Sequence, residues 1–113
     1  MPAKTIKNKY VIGRVNVSLP PRRACRIDAN QPEIVQALRK AGALVLHVGH
    51  PFDVLAGYRG RWVALEIKDP AKPPSKRLLT DDQMEFFRNA AAYQLPATKV
   101  ETVEDALRAV GAM

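Results

Sequence analysis

The chain has 113 residues, 47% of them apolar and 26% charged, with a formal net charge of +7, which is globular composition with room for one domain and a single core. No apolar run approaches the roughly 20 residues that span a bilayer, and the N-terminus lacks a secretory apolar segment. The lone cysteine, Cys25, excludes an internal disulfide and a CxxC metal site, suits a reducing cytoplasm, and reads as structural or incidental.

Charge divides the chain into a basic N-terminal arm, residues 1–25, and a domain, residues 26–113. Residues 1–30 hold seven Lys or Arg against one Asp, +6, which leaves +1 for residues 31–113. Lys4, Lys7, Lys9, Arg14, Arg22, Arg23 and Arg26 can neutralise phosphates with counterion release, a salt-sensitive affinity that carries little sequence information. A solubilising tail is the alternative. Val11, Ile12, Val15, Val17 and Leu19 interleave with the cations, so part of the arm can also form a strand, pack on the core or cover a partner subunit.

The first helix is predicted to open at Asn30 as N-cap, with Pro32 in the first turn and Glu33 as a capping-box carboxylate, and to close at Gly42. Ile34, Leu38 and Ala41 would face the sheet, and Leu44 to Val48 reads as a buried first strand. Gly49 to Pro51 turn the chain. Residues 52–68 read as a hairpin turning at Arg59 and Gly60, where a two-residue turn needs positive φ. Tyr58 then pairs with Arg61, Ala56 with Val63, Val54 with Leu65 and Asp53 with Glu66. Alternation puts Lys68 on the face of Glu66 and Val54, Ala56, Val63, Leu65 and Ile67 on the other, against a helix.

Residues 69–77, with three prolines and Lys72, Lys76 and Arg77, are expected to form a mobile loop beside the charged face, able to hold nucleic acid. Thr80 to Gln83 repeat the capping-box pattern and start a second helix, with Met84, Phe87 and Ala91 on one face and Phe86, Ala90 and Tyr93 close by, ending at Pro96. A short strand, 97–101, leads to Thr102 as N-cap of a last helix with an apolar stripe of Val103, Ala106, Leu107 and Val110, stopped by Gly111. The order is helix, three strands, helix, strand, helix, an α/β class with no internal repeat.

Opposed carboxylates on paired strands repel, so Asp53 and Glu66 call for compensation. A hard divalent cation held by carboxylate, backbone carbonyl and water supplies it, and an adjacent lysine orients or deprotonates a bound water, which suggests a metal-dependent nuclease. The plain alternative is that Asp53 ends a strand while Glu66 and Lys68 form an exposed ladder of little energetic value. Glu33 and Gln83 each stand where capping alone would explain them. His50, three residues before Asp53, is a candidate for metal or phosphate contact or an ordinary turn histidine, and His47 reads as a core or edge residue. Zinc-ligand spacings, phosphate-binding glycine loops and serine nucleophile elbows are absent.

Asp53 with Glu66, Ile67 and Lys68 resembles the PD-(D/E)XK nuclease superfamily, and the wider frame, from residues 26–33 through 37–42 to 79–83, resembles its small viral and prophage VRR-NUC branch. Similarity extends over residues 26–110. It implies a restriction-endonuclease-like core with a mixed sheet flanked by helices. It further implies Asp53, Glu66 and the Ile67 backbone carbonyl as ligands of Mg²⁺ or Mn²⁺, Lys68 assisting the attacking water, and accessory roles for Glu33 and Gln83. The family's Pro directly before Asp is displaced here, Phe52 standing between Pro51 and Asp53. The expected activity is an endonuclease on DNA, including branched or junction DNA, in the cytoplasm, a host's if the chain is viral. Cutting two strands symmetrically needs two active sites, so a homodimer is expected. Arg22, Arg23, Arg26, Lys72, Lys76 and Arg77 are the candidate nucleic-acid contacts. The alternatives are a nucleic-acid-binding protein of the same fold with weak or lost catalysis, and a structural subunit using the arm for protein contacts.

Overall fold

A computed structural model describes residues 27–113; Cys25 and the arm candidates Arg22, Arg23 and Arg26 lie outside the described residues. The elements follow in the expected order: α1 (Gln31–Lys40), β1 (Leu44–His47), β2 (Val54–Tyr58), β3 (Arg61–Ile67), a 3-10 turn (Pro74–Lys76), α2 (Asp81–Ala92), β4 (Ala97–Val100) and α3 (Val103–Val110). The four strands form one mixed sheet in sequence order, antiparallel from β1 to β3, with β4 parallel to β3 after the crossover through α2. The fold is α/β, with helices against the sheet.

The hairpin register matches the alternation of its residues: Tyr58 pairs with Arg61, Ala56 with Val63 and Val54 with Leu65. Arg59 and Gly60 both have positive φ, 51° and 79°, the signature of a turn whose twist suits paired strands. Val45, Val54, Ala56, Val63, Leu65, Ile67 and Val100 bury one sheet face against Ile34, Val35 and Leu38 of α1 and Ala106 and Val110 of α3. The apolar stripe of α3 is therefore its core face. Thr102 accepts the Asp105 N–H at the start of that helix, and Gly111 closes it at φ 90°.

Several local expectations are corrected. β1 is an edge strand buried only at Val45, with Leu44, Leu46 and Val48 on the less covered face. Ala41 is exposed, and Val35 takes its place in the core. In α2 the only buried residue is Ala90; Phe86 and Phe87 are half-buried, while Met84, Ala91 and Tyr93 are exposed. Asn30 makes no cap hydrogen bond at α1, so the first capping box does not form.

Candidate active site

β3 is a central strand, and its non-core face ends at Glu66, followed by Lys68. Glu66 is 4% exposed and Lys68 9%, so the reading of an exposed charge ladder fails. The Lys68 ammonium lies 3.3 Å from Glu66 Oε2 and donates to Gln83 Oε1 at 3.2 Å. Gln83 Nε2 donates to Glu66 Oε2 at 2.8 Å, while Gln83 Oε1 also accepts the Thr80 N–H at 2.9 Å. Capping and site roles thus coincide in Gln83: the side chain that starts α2 also fixes the acid and the lysine.

The hairpin ladder stops at Val54 and Leu65, one pair short of the expected opposition of Asp53 with Glu66. Asp53 N–H donates to the Leu65 carbonyl, and the Asp53 carbonyl accepts from both Val48 and Gly49, which fixes the entry to β2 despite the displaced proline. Its carboxylate then takes the place of the next strand carbonyl, accepting the Ile67 N–H at 2.7 Å. In an extended strand a residue's N–H and C=O lie along the same edge, so the Ile67 carbonyl belongs to the edge of β3 on which its N–H meets Asp53.

Burial pushes the Glu66 carboxyl up to about 7, the neighbouring Asp53 charge adds to the rise, and Lys68 and Gln83 only partly offset it. Asp53 is likewise raised, by burial first and by the charge of Asp28, against the opposing effects of the Ile67 N–H, Lys68 and Glu66. The Glu66 Oε1 atom is buried and has no hydrogen-bond partner among the described residues. A buried, unpartnered carboxylate oxygen costs on the order of 1–3 kcal/mol or more. The donor set left open at this point is hard oxygen: Glu66 Oε1, the Asp53 carboxylate and the Ile67 carbonyl, which fits Mg²⁺ or Mn²⁺ completed by water. Among the described residues, no three His, Cys, Asp or Glu side chains are already gathered as a metal cage.

The other candidates separate. Glu33 is exposed on α1 and does not join the cluster. His50 stands at the rim, 3.8 Å from Asp82, both side chains largely exposed, and His47 is exposed on the edge strand. Lys72 is paired with Asp28, and Arg77 with Glu101 at 3.5 Å, while Lys99 donates to the Arg77 carbonyl at 3.2 Å. Two cations of the proline-rich loop therefore anchor it, and Lys76 is the one that stays exposed in the 3-10 turn without an ion pair among the described residues.

Two residues near the site were not foreseen. Asn30 Nδ2 donates to the carbonyls of Lys68 and Glu101, each at 3.0 Å, clamping the end of β3 to the end of β4. Asp28, in the turn before α1, places its charge near Asp53. The sequence signal for Asn30 was a cap pattern, and Asp28 stands outside any periodic element. No family model, curated protein or solved structure matches the chain.

Proposed function

We propose that the protein is a Mg²⁺- or Mn²⁺-dependent endonuclease with a restriction-endonuclease-like core of the VRR-NUC type, hydrolysing DNA phosphodiester bonds. The observation that carries this reading is the buried Glu66 carboxylate, raised to about 7 and with one oxygen unpartnered, beside a second carboxylate and a fixed lysine. A structural pair would satisfy both oxygens or replace the charges with apolar groups at little loss. Perturbed carboxylates beside a fixed lysine are instead what a reaction site requires.

Asp53, Glu66 and the Ile67 carbonyl would hold the ion. When bound, a divalent ion acidifies water and offsets charge developing on the scissile phosphate. Lys68, held by Glu66 and Gln83, orients the attacking water, and Gln83 keeps both side chains in place. Water adds to phosphorus as one P–O ester bond breaks, leaving a phosphate and a hydroxyl terminus. The basic arm supplies salt-sensitive attraction to the backbone. Two copies would present two sites for symmetric cutting, with branched DNA as the preferred substrate. No helix among the described residues is long and apolar enough to cross a membrane, and the single cysteine suits a cytoplasmic setting.

Labelled single-stranded, duplex, flap and four-way-junction DNA, incubated with Mg²⁺, Mn²⁺ or EDTA, tests the reading. Metal-dependent cleavage that disappears in Glu66→Ala, with DNA binding retained, is the expected result. Binding without cleavage of any substrate would instead identify a nucleic-acid-binding protein of the same architecture.

A further inference from the structure

β1 is one edge of the sheet, and its outer side carries no strand among the described residues. The Val48 N–H donates to the Asp53 carbonyl, on the β2 side. Pairs in an antiparallel ladder alternate between hydrogen-bonded and non-hydrogen-bonded, so Leu44 and Leu46 bond to β2 while Val45 and His47 turn their backbone groups outward. Arg39 of α1 bears this out by donating to the Val45 carbonyl at 3.1 Å. The N–H groups of Val45 and His47 and the His47 carbonyl have no backbone partner among the described residues.

A groove of about 510 Å³ runs beside this edge, between β1 and α1. Ile27, Pro32 and Val35 give it an apolar wall, and Arg39 and His47 bound it toward the strand. Gln31 also lines it; the residue is 5% exposed, and its Oε1 is buried with no partner among the described residues. A buried acceptor in that state calls for a donor. Because α1 packs on the core face, the groove lies on the side of the sheet opposite Glu66 and Lys68.

The described residues begin at this groove, since Ile27 is part of its wall. Upstream, residues 1–25 carry six Lys or Arg, yet residues 15–21, Val-Asn-Val-Ser-Leu-Pro-Pro, hold no charge and form the longest such run there. Val15, Val17 and Leu19 alternate with Asn16 and Ser18, the period of a half-buried strand. Eight steps of chain join Leu19 to Ile27, roughly 26 Å when extended, against about 13 Å for the length of β1. We propose that residues 15–19 of the same chain dock along β1 as a fifth strand, with Val15, Val17 and Leu19 in the groove. Their backbone pairs with Val45 and His47, and the incoming chain gives Gln31 Oε1 its donor. Adding a strand to an exposed edge uses main-chain hydrogen bonds for affinity and side-chain pockets for register, and it covers an edge that would otherwise invite aggregation. A short tether holds the segment at an effective concentration of about millimolar, which favours the chain's own arm over a second copy. The inference goes beyond the nuclease reading and does not depend on it.

Amide hydrogen exchange followed by NMR on the full chain tests it. In the wild type the Val45 and His47 amides are expected to exchange about tenfold or more slower than in an open strand edge. The triple variant Val15→Ser, Val17→Ser, Leu19→Ser, and separately Val17→Lys, should return both amides to the fast rate, while Ala56 and Leu65 in the interior of the sheet keep theirs and Val11→Ser changes nothing. Raised salt should leave the protection intact, because the docked segment carries no charge. Fast exchange at Val45 and His47 in the wild type would overturn the proposal without recourse to any variant. Protection that survives the triple variant would assign the edge to another group, and protection that salt removes would assign it to the arm's cations; either result overturns the docking. Protection that fades on dilution, with a dimer in sedimentation, would give the edge to a second copy and overturn docking by the chain's own arm.

Discussion

Replacing Glu66 by Gln should make the metal-free protein more stable and abolish the proposed metal-dependent cleavage. Gln keeps the shape and the capacity to accept from Gln83, but removes a charge that the buried site disfavours. The folded state keeps the Glu66 proton from its ordinary 4.5 up to about 7. The folded chain therefore binds more protons than the unfolded one in that window, and wild-type stability falls as pH rises through it. At about 1.4 kcal/mol per pH unit, ionised Glu66 lowers stability above pH 7 by about 3 kcal/mol. Lys68 loses its charge partner in the variant, so the net gain of Glu66→Gln should be smaller, about 1–2 kcal/mol, or roughly 5–10 °C in melting temperature for a domain of this size. Thermal melts in EDTA at pH 5.5 and 8 read this directly: the variant should exceed the wild type at pH 8, and the difference should shrink or reverse at pH 5.5. Mg²⁺ at about a hundred times its dissociation constant should then stabilise the wild type by roughly 2.7 kcal/mol and leave the variant unmoved. A Glu66→Gln protein less stable than wild type at pH 8 in EDTA would refute the reasoning, because it would show the carboxylate to be a structural asset.

Gln83→Ala removes the contacts to Glu66, Lys68 and the Thr80 N–H together; cleavage should fall about tenfold or more, and stability by about 1 kcal/mol from the lost cap, measured by initial rates and denaturant unfolding. Arg59→Asn should raise the unfolding midpoint, with a gain below about 1 kcal/mol, because Asn tolerates the φ of 51° better than Arg. Gly57→Ala would place a Cβ 2.9 Å from the Trp62 ring; that ring is the chain's only tryptophan and is 46% exposed, so it should swing aside, shifting the intrinsic fluorescence at about 1 kcal/mol of stability. Deleting residues 1–25 removes six Lys or Arg and no acid, taking the net charge from +7 to +1; the slope of log affinity for DNA against log salt should flatten by up to about 5, with Mn²⁺ affinity unchanged.

The hairpin was legible because two independent signals agreed: Gly60 marked a turn requiring positive φ, and the apolar alternation on both arms fixed the same register. That register placed Glu66 and Lys68 on one face, where their side chains do meet. The burial of that face could not be read in the same way, since it depends on Gln83 and the start of α2 landing over it from 17 residues away. β1 illustrates the converse. Its apolar run reads as fully buried, but the strand lies at a sheet edge where only Val45 meets the core. Asn30 has every feature of a helix cap, yet its side chain goes to carbonyls 38 and 71 residues away. Local pattern states what a side chain can do, and long-range competition decides which partner it takes.

The division of charge suggests how affinity and chemistry are separated in this chain. Residues 27–113 hold eleven Lys or Arg and eleven Asp or Glu, so the +7 resides entirely in residues 1–26. On the proposed function, long-range attraction to a polyanion would come from the arm, and the balanced domain would add orientation rather than bulk affinity. Within that domain the carriers are graded by rigidity. Glu66 and Lys68 are set by a central strand paired on both sides, Gln83 by a capped helix start, and Asp53 by three backbone hydrogen bonds at the entry to β2. Of the loop cations, Lys76 is the one exposed without an ion pair among the described residues. The proposed cleavage of branched DNA would need such an arrangement, with the groups that define geometry on the sheet and those that follow the substrate on loop and arm.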